Sequence, residues 1–140
     1  MKTFTAALAA LTLATTAPAL AADPASLTLT FDTGAATGAV MVALYDSEAD
    51  WSDGAPVRTA RIDVAAGQRT ATFDDLPAGD YGMKAFHDVN GDGTMNTNPF
   101  GMPVEPYAFS NNAVGNMGPA RWGQARVTVT GTISQTIRIH

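Results

Sequence analysis

Asp88, Asn90, Asp92, Thr94 and Asn96 stand at alternate positions of one short stretch, and Gly93 follows the third of them. Oxygen-bearing side chains at this spacing suit a loop that wraps a hard cation, because Ca²⁺ takes six to eight oxygens at roughly 2.3–2.6 Å. Asp88, Asn90 and Asp92 would ligate through side-chain oxygens, Thr94 through its carbonyl, and Asn96 directly or through water. Gly93 permits the sharp turn that a Cβ would hinder. The pattern departs from the full template at its twelfth position, where Pro99 replaces a bidentate glutamate. Glu105 is then the best candidate for a closing acid. With only Asp88 and Asp92 charged in the loop itself, the expected Ca²⁺ affinity is weak, about 10⁻⁴–10⁻³ M. The plainer alternative is a metal-free turn, since Asn-Gly-Asp-Gly favours positive φ and Asx-type bonds.

Two further groups of residues could do chemistry. His87 immediately precedes the loop, and a histidine beside an aspartate can serve as a general base of a hydrolase. The only other histidine is His140, and no Ser-His-Asp or His-x-x-x-His spacing accompanies it, so a structural imidazole at a strand end is the preferred reading. Tyr107, Phe109, Asn111, Asn112, Arg121 and Trp122 could hold a glycan or peptide, as aromatic-lined sites do. Against that, Phe100, Tyr107, Phe109 and Trp122 could fold down as a satellite core that pins the segment.

The elements that must position these residues are short strands. Leu27, Leu29 and Phe31 alternate with Ser26, Thr28 and Thr30, the pattern of a half-buried strand. Val40 to Tyr45 is almost continuously apolar and reads as a central strand. Residues 46–56 read as a loop or short helical excursion, 57–64 and 69–76 as strands. Leu76-Pro77-Ala78-Gly79-Asp80-Tyr81 turns tightly into a strand over 81–89, and Tyr81 is placed as a tyrosine corner or a plain core tyrosine. Residues 90–123 show almost no periodicity and are expected to form one long loop. Strands resume over 124–130 and 132–139, with Gly131 marking a hairpin. The expected fold is all-β, an antiparallel immunoglobulin-like or prealbumin-like sandwich of about seven strands with one long loop.

Composition narrows the class. Lys2, the apolar Phe4–Leu13 run and the small-x-small Ala19-Leu20-Ala21 read as a secretory signal peptide over residues 1–21, leaving 22–140 as a single domain. Periplasmic or secreted localisation follows. The chain has no cysteine, so thiol catalysis, Cys-ligated zinc and a lipobox anchor are excluded. Losing Lys2 with the signal takes the formal charge from −5 to −6. An acidic balance argues against nucleic acid, which needs clustered Lys and Arg. It suits cation binding, with an extracellular glycan or protein as the expected class of partner.

His87-Asp88-x-Asn90-Gly91-Asp92-Gly93, Asn98-Pro99-Phe100-Gly101-Met102-Pro103-x-Glu105-Pro106-Tyr107-x-Phe109-Ser110-Asn111-Asn112 and Gly118-Pro119-Ala120 together resemble a secreted bacterial family, domain of unknown function 2141 (DUF2141). The resemblance spans nearly all of 22–140 and is strongest from about Tyr81 to Arg126. Ala120 and Trp122 depart from the family's usual second proline and aromatic. It implies an exported β-sandwich and no activity. A looser similarity, over Leu76–Tyr81 and Asp88–Gly93, is to surface-protein B-type and prealbumin-like modules, some of which bind calcium at a strand end. The paired histidines and C-terminal signature of the related hydrolases are missing. The chain is therefore expected to be non-enzymatic.

Overall fold

The computed structural model describes residues 17–19 and 23–140. Apart from residues 17–19, the expected signal peptide lies outside the described residues. Among the described residues, eight strands form two sheets: β1 (Ala25–Thr33), β2 (Ala39–Tyr45), β3 (Arg58–Asp63), β4 (Thr70–Leu76), β5 (Gly79–Asp88), β6 (Tyr107–Phe109), β7 (Val127–Val129) and β8 (Thr132–Ile139). One sheet has the order β4-β1-β8; the other has the order β3-β2-β5-β6, with β7 also paired to β5. The all-β sandwich is as expected. One ladder is parallel rather than antiparallel: β8 runs beside β1 from Ser26↔Thr132 to Thr33↔Ile139.

The core lies between the sheets and follows the two-residue period of each strand. Leu27, Leu29 and Phe31 meet Val40, Val42, Leu44, Met83, Ile137 and Ile139, all buried. Burying such a side chain contributes about 1.5–3 kcal/mol each, which makes this the main stabilising layer. The Tyr81 hydroxyl donates to the Pro77 carbonyl at 2.6 Å, so the residue is a tyrosine corner that clamps the β4–β5 turn.

Three local expectations change. The 90–123 stretch is not one loop, because β6, a 3₁₀ turn at Ser110–Asn112 and the start of α2 (Trp122–Ala125) lie within it. The strand expected over 124–130 shrinks to Val127–Val129, because Gln124 closes the helical turn from both sides: its N–H donates to the Arg121 carbonyl at 3.0 Å, and its side-chain oxygen accepts the Arg121 N–H at 3.2 Å. Gly131 makes no hairpin. β7 pairs with β5 and β8 with β1, so Gly131, at φ +68°, passes the chain from one sheet to the other. The excursion after β2 contains a six-residue helix, α1 (Glu48–Asp53), capped by Ser47, whose Oγ accepts the Asp50 N–H.

The two outer faces differ in chemistry. On the three-stranded sheet, Thr28 faces Thr72 and Thr30 faces Thr70, each pair with hydroxyls 3.3 Å apart. On the five-stranded sheet, register sets Arg61, Met41, Phe86 and Tyr107 in one cross-strand row, and Thr59, Ala43, Lys84 and Phe109 in the next.

Candidate functional site: a carboxylate-closed loop beside an apolar groove

The Asp88 loop folds around its first carboxylate. Asp88 ends β5 and is only 2 % exposed. Its Oδ1 accepts the N–H groups of Gly91 and Asp92 at 2.9 and 3.1 Å, and its Oδ2 accepts that of Gly93 at 2.7 Å. Gly93, at φ +79°, adopts the left-handed conformation that this wrap requires. Gly38 packs against the same strand end, where a Cβ would stand 1.9 Å from the Asp88 carbonyl oxygen. Glu105 reaches across from the far side, as expected of a closing acid, but it closes on backbone: Oε1 accepts the Val89 N–H and Oε2 the Asn96 N–H, both at 3.1 Å.

The three remaining polar side chains converge. Asn90 Nδ2 donates to Asn96 Oδ1 at 3.0 Å, Asn96 Nδ2 to Asp92 Oδ2 at 2.9 Å, and the Thr94 N–H to Asp92 Oδ1 at 2.9 Å. These bonds hold the Asp92 carboxyl below the usual carboxylate range, the Thr94 N–H contributing most and the Asn96 amide next. Among the described residues, no three His, Asp or Glu side chains gather in one place. Lone-pair accounting tests the fit to a cation. Each carboxylate oxygen offers two lone pairs. Asp88 Oδ1 spends both, whereas Asp88 Oδ2 and both Glu105 oxygens each retain one. Asp92 Oδ2 also accepts Asn90 Nδ2 at 3.4 Å and Asn90 Oδ1 accepts the Asp92 N–H at 3.2 Å, so a hard cation would need both amides turned, at the loss of these bonds, with Asp92 as its central charge.

His87 is wholly buried, with Nε2 donating to the Thr37 carbonyl at 2.7 Å and Nδ1 without a partner. Neither ring nitrogen faces solvent. The proposed glycan residues divide. Phe109 is buried with Trp51, Ala120 and Ala125, and Trp122 packs on their edge at 5.9 Å from the Trp51 ring. The satellite core therefore exists, anchored by Trp51, whose Nε1 donates to the Ala120 carbonyl at 3.0 Å. Phe100 and Tyr107 do not join it and are 89 % and 48 % exposed. The Asn111 amide donates to the Gln124 and Arg126 carbonyls, and Asn112 bonds to Thr136 and Arg138 on β8. Arg121 caps α2 through its backbone. The side chains of Asn111 and Asn112 are thus engaged in holding the chain, while Tyr107 and Phe109 face a groove.

That groove was not anticipated. It lies on the outer face of the five-stranded sheet and has a volume of about 1260 Å³. Met41, Ala43 and Phe86 line its floor, and Met95, Met102 and Met117 overhang it from the arm between β5 and α2. Two cations, Arg61 and Lys84, and no carboxylate line it among the described residues. The Lys84 ammonium lies 4.8 Å from the centre of the Tyr45 ring and 4.6 Å from that of Trp51. The continuous apolar run of β2 was the available signal. Helices α1 and α2 cover only the Tyr45–Gly82 end of this sheet, through Trp51 and Trp122, so the rest of the run leaves apolar side chains on the outside.

The fold and this site together define a β-sandwich with a carboxylate-closed loop and an open apolar groove. The family model described as an uncharacterised protein conserved in bacteria (DUF2141) matches residues 32–137, and the chain belongs to that family. No curated protein and no solved structure matches it.

Proposed function

We propose that the chain is an exported, non-catalytic binding module that takes a small apolar ligand in the groove on its five-stranded sheet. The observation that carries this reading is the outward row of Met41 and Phe86 beneath an arm that overhangs them without filling the space. Pockets for small molecules are concave, mostly apolar and furnished with a few polar groups, and this one has that make-up. Met-rich walls adapt to varied apolar shapes, because the side chain is unbranched and polarisable. Met117 strengthens the case: its backbone sits at φ +57° and its side chain is fully exposed, so in the free protein it gains little from burial. A glycan would need a row of hydrogen-bonding groups along the floor, whereas Met41, Ala43 and Phe86 occupy its middle and the polar side chains, Tyr45, Thr59, Tyr107 and the two cations, stand around them.

The test is titration with the neutral dye N-phenyl-1-naphthylamine. Saturable, one-site fluorescence enhancement is expected, and Met41→Glu should abolish it. Enhancement that rises without saturation, or that Met41→Glu leaves unchanged, would sink the reading.

A second part of the proposal concerns the Asp88–Asn96 loop, which we assign as a weak Ca²⁺ site bracing the arm at its start. The convergence of Asn90, Asp92 and Asn96 favours it. A cation bound only by the folded state stabilises it by about 2.7 kcal/mol at a hundredfold excess over Kd. Melting in EDTA and in millimolar Ca²⁺, with Mg²⁺ as control, should give a calcium-specific rise; an unchanged midpoint would reduce the loop to a turn.

A further inference from the structure

We propose that the groove's ligand is an anionic amphiphile, an apolar chain bearing one carboxylate-like head that pairs with Lys84. The inference rests on the binding-module reading above and adds the ligand's charge and shape.

Charge is the first argument. The chain carries a formal net charge of −5, yet the groove presents Arg61 and Lys84 and no acid among the described residues. A surface that is acidic overall but cationic in this apolar groove is complementary to an anion there.

The environment of Lys84 is the second. Its Nζ donates to the Trp51 carbonyl and lies over the Tyr45 and Trp51 rings. An ammonium has three N–H donors, so two remain after that bond. Among the described residues no carboxylate lies within 4.0 Å of it; the two ion pairs are Arg61–Asp63 and Arg126–Asp80. Burial disfavours its charged form and lowers its pKa. A partly desolvated cation with free donors, whose neighbouring acid Asp53 lies outside pairing distance, is the natural seat for an anionic head.

Position is the third. Lys84 shares its row with Ala43, and the adjoining row carries Met41 and Phe86. A head on Lys84 therefore leaves an attached chain running along the apolar floor toward Met41 and under the arm's methionines. Arg61, at the far side of that row and 4.0 Å from Asp63, is already partly matched. Lys84 is thus the better anchor of the two.

The experiment displaces bound N-phenyl-1-naphthylamine with dodecanoate, dodecanol and dodecyltrimethylammonium, each below micelle formation, in wild type and in Lys84→Met. One charge-assisted pairing is expected to make dodecanoate about tenfold tighter than dodecanol, with the cationic amphiphile weakest. In Lys84→Met the dodecanoate-to-dodecanol ratio should fall to about one, with dye binding retained as proof that the groove is intact. Equal affinity for dodecanoate and dodecanol in wild type would overturn the anionic assignment while leaving an apolar groove. Dye that binds nowhere saturably would overturn the groove itself, as would a dimer whose formation occludes it. Loss of dye binding in Lys84→Met would move the test to Lys84→Gln, judged by the same ratio. A ratio still near ten in that variant would also overturn the assignment.

Discussion

The two outer faces of the sandwich share one backbone geometry and carry opposite chemistry. On β1 and β4 the outward positions hold Thr28, Thr30, Thr70 and Thr72, whose hydroxyls pair across the strands. Water can satisfy the rest of that surface, and nothing needs to cover it. On β2 and β5 the same positions hold Met41, Ala43 and Phe86, and the chain extends an arm over them. An apolar outer face costs solubility unless something covers it, which is the physical basis for proposing it as the working surface. The comparison also shows what the working face requires. The threonine face depends only on its sheet, whereas the groove also depends on the two ends of the arm.

Those ends are held by different physics. At the far end Trp51, Phe109, Ala120 and Ala125 form a buried cluster, with ring centres of Trp51 and Phe109 5.9 Å apart. Trp51→Ala should give the largest effect, a loss of about 3–5 kcal/mol in denaturant melts. Amide exchange should rise over 107–126 before it rises in β1 and β4. Uniform loss of protection across both sheets would mean that the cluster is part of the main core and not a separate clamp.

At the near end the clamp is ionic and bonded to backbone. Asp88→Ala removes the acceptor of three N–H groups, and hydrogen bonds to a charged acceptor are worth about 1.5–3 kcal/mol. Because Gly91 and Gly93 are exposed and can bond to water, the expected loss is about 2 kcal/mol in total. Any calcium-dependent rise in melting temperature should disappear with it. A mutant that keeps the full calcium response would move the cation away from this loop. A mutant as damaged as Trp51→Ala would show that the two ends are not independent.

The core and the far clamp were unequally legible. Alternation exposed β1, and the Pro77-to-Tyr81 spacing offered the tyrosine corner beside a plain core tyrosine, because both signals are local. The parallel β1–β8 ladder was hidden, since pairing direction depends on how β8 is reached and leaves no mark in a period-two pattern. β6 has three residues, Tyr107–Phe109, too few to show any period. Trp51 was overlooked because its helix is six residues long and lies in a polar stretch; its weight comes from contacts about 58 and 69 residues away, at Phe109 and Ala120. The loop oxygens were legible as a set, but not their division of labour. Asp88 and Glu105 serve backbone N–H groups, and only Asn90, Asp92 and Asn96 face one another. The run from Val40 to Tyr45 reads as a central strand, and nothing in it separates that from a groove floor. It proves to be both, since β2 lies between β3 and β5 with its outer residues beneath the arm.

The smallest expected effect bears most directly on the working face. Burial, the larger influence, lowers the Lys84 pKa, and Asp53 partly opposes it. The unfolded chain, with an ordinary lysine near 10.5, then holds more protons than the folded one over a window that ends near that value. Stability must therefore rise with pH across that window, as the folded protein sheds a charge it is strained to keep. The gain is below about 1 kcal/mol, because the ammonium is partly exposed and solvent screens it. Lys84→Met should remove this rise and leave the ligand-free protein slightly more stable at pH 7. Dodecanoate should act in the opposite direction to burial, raising the lysine's pKa and drawing a proton onto the complex as it binds at alkaline pH below 10.5. Calorimetry in two buffers of different ionisation enthalpy would detect that uptake. The threonine face has no counterpart to this response, so proton uptake that survives Lys84→Met would place the anion somewhere other than the groove.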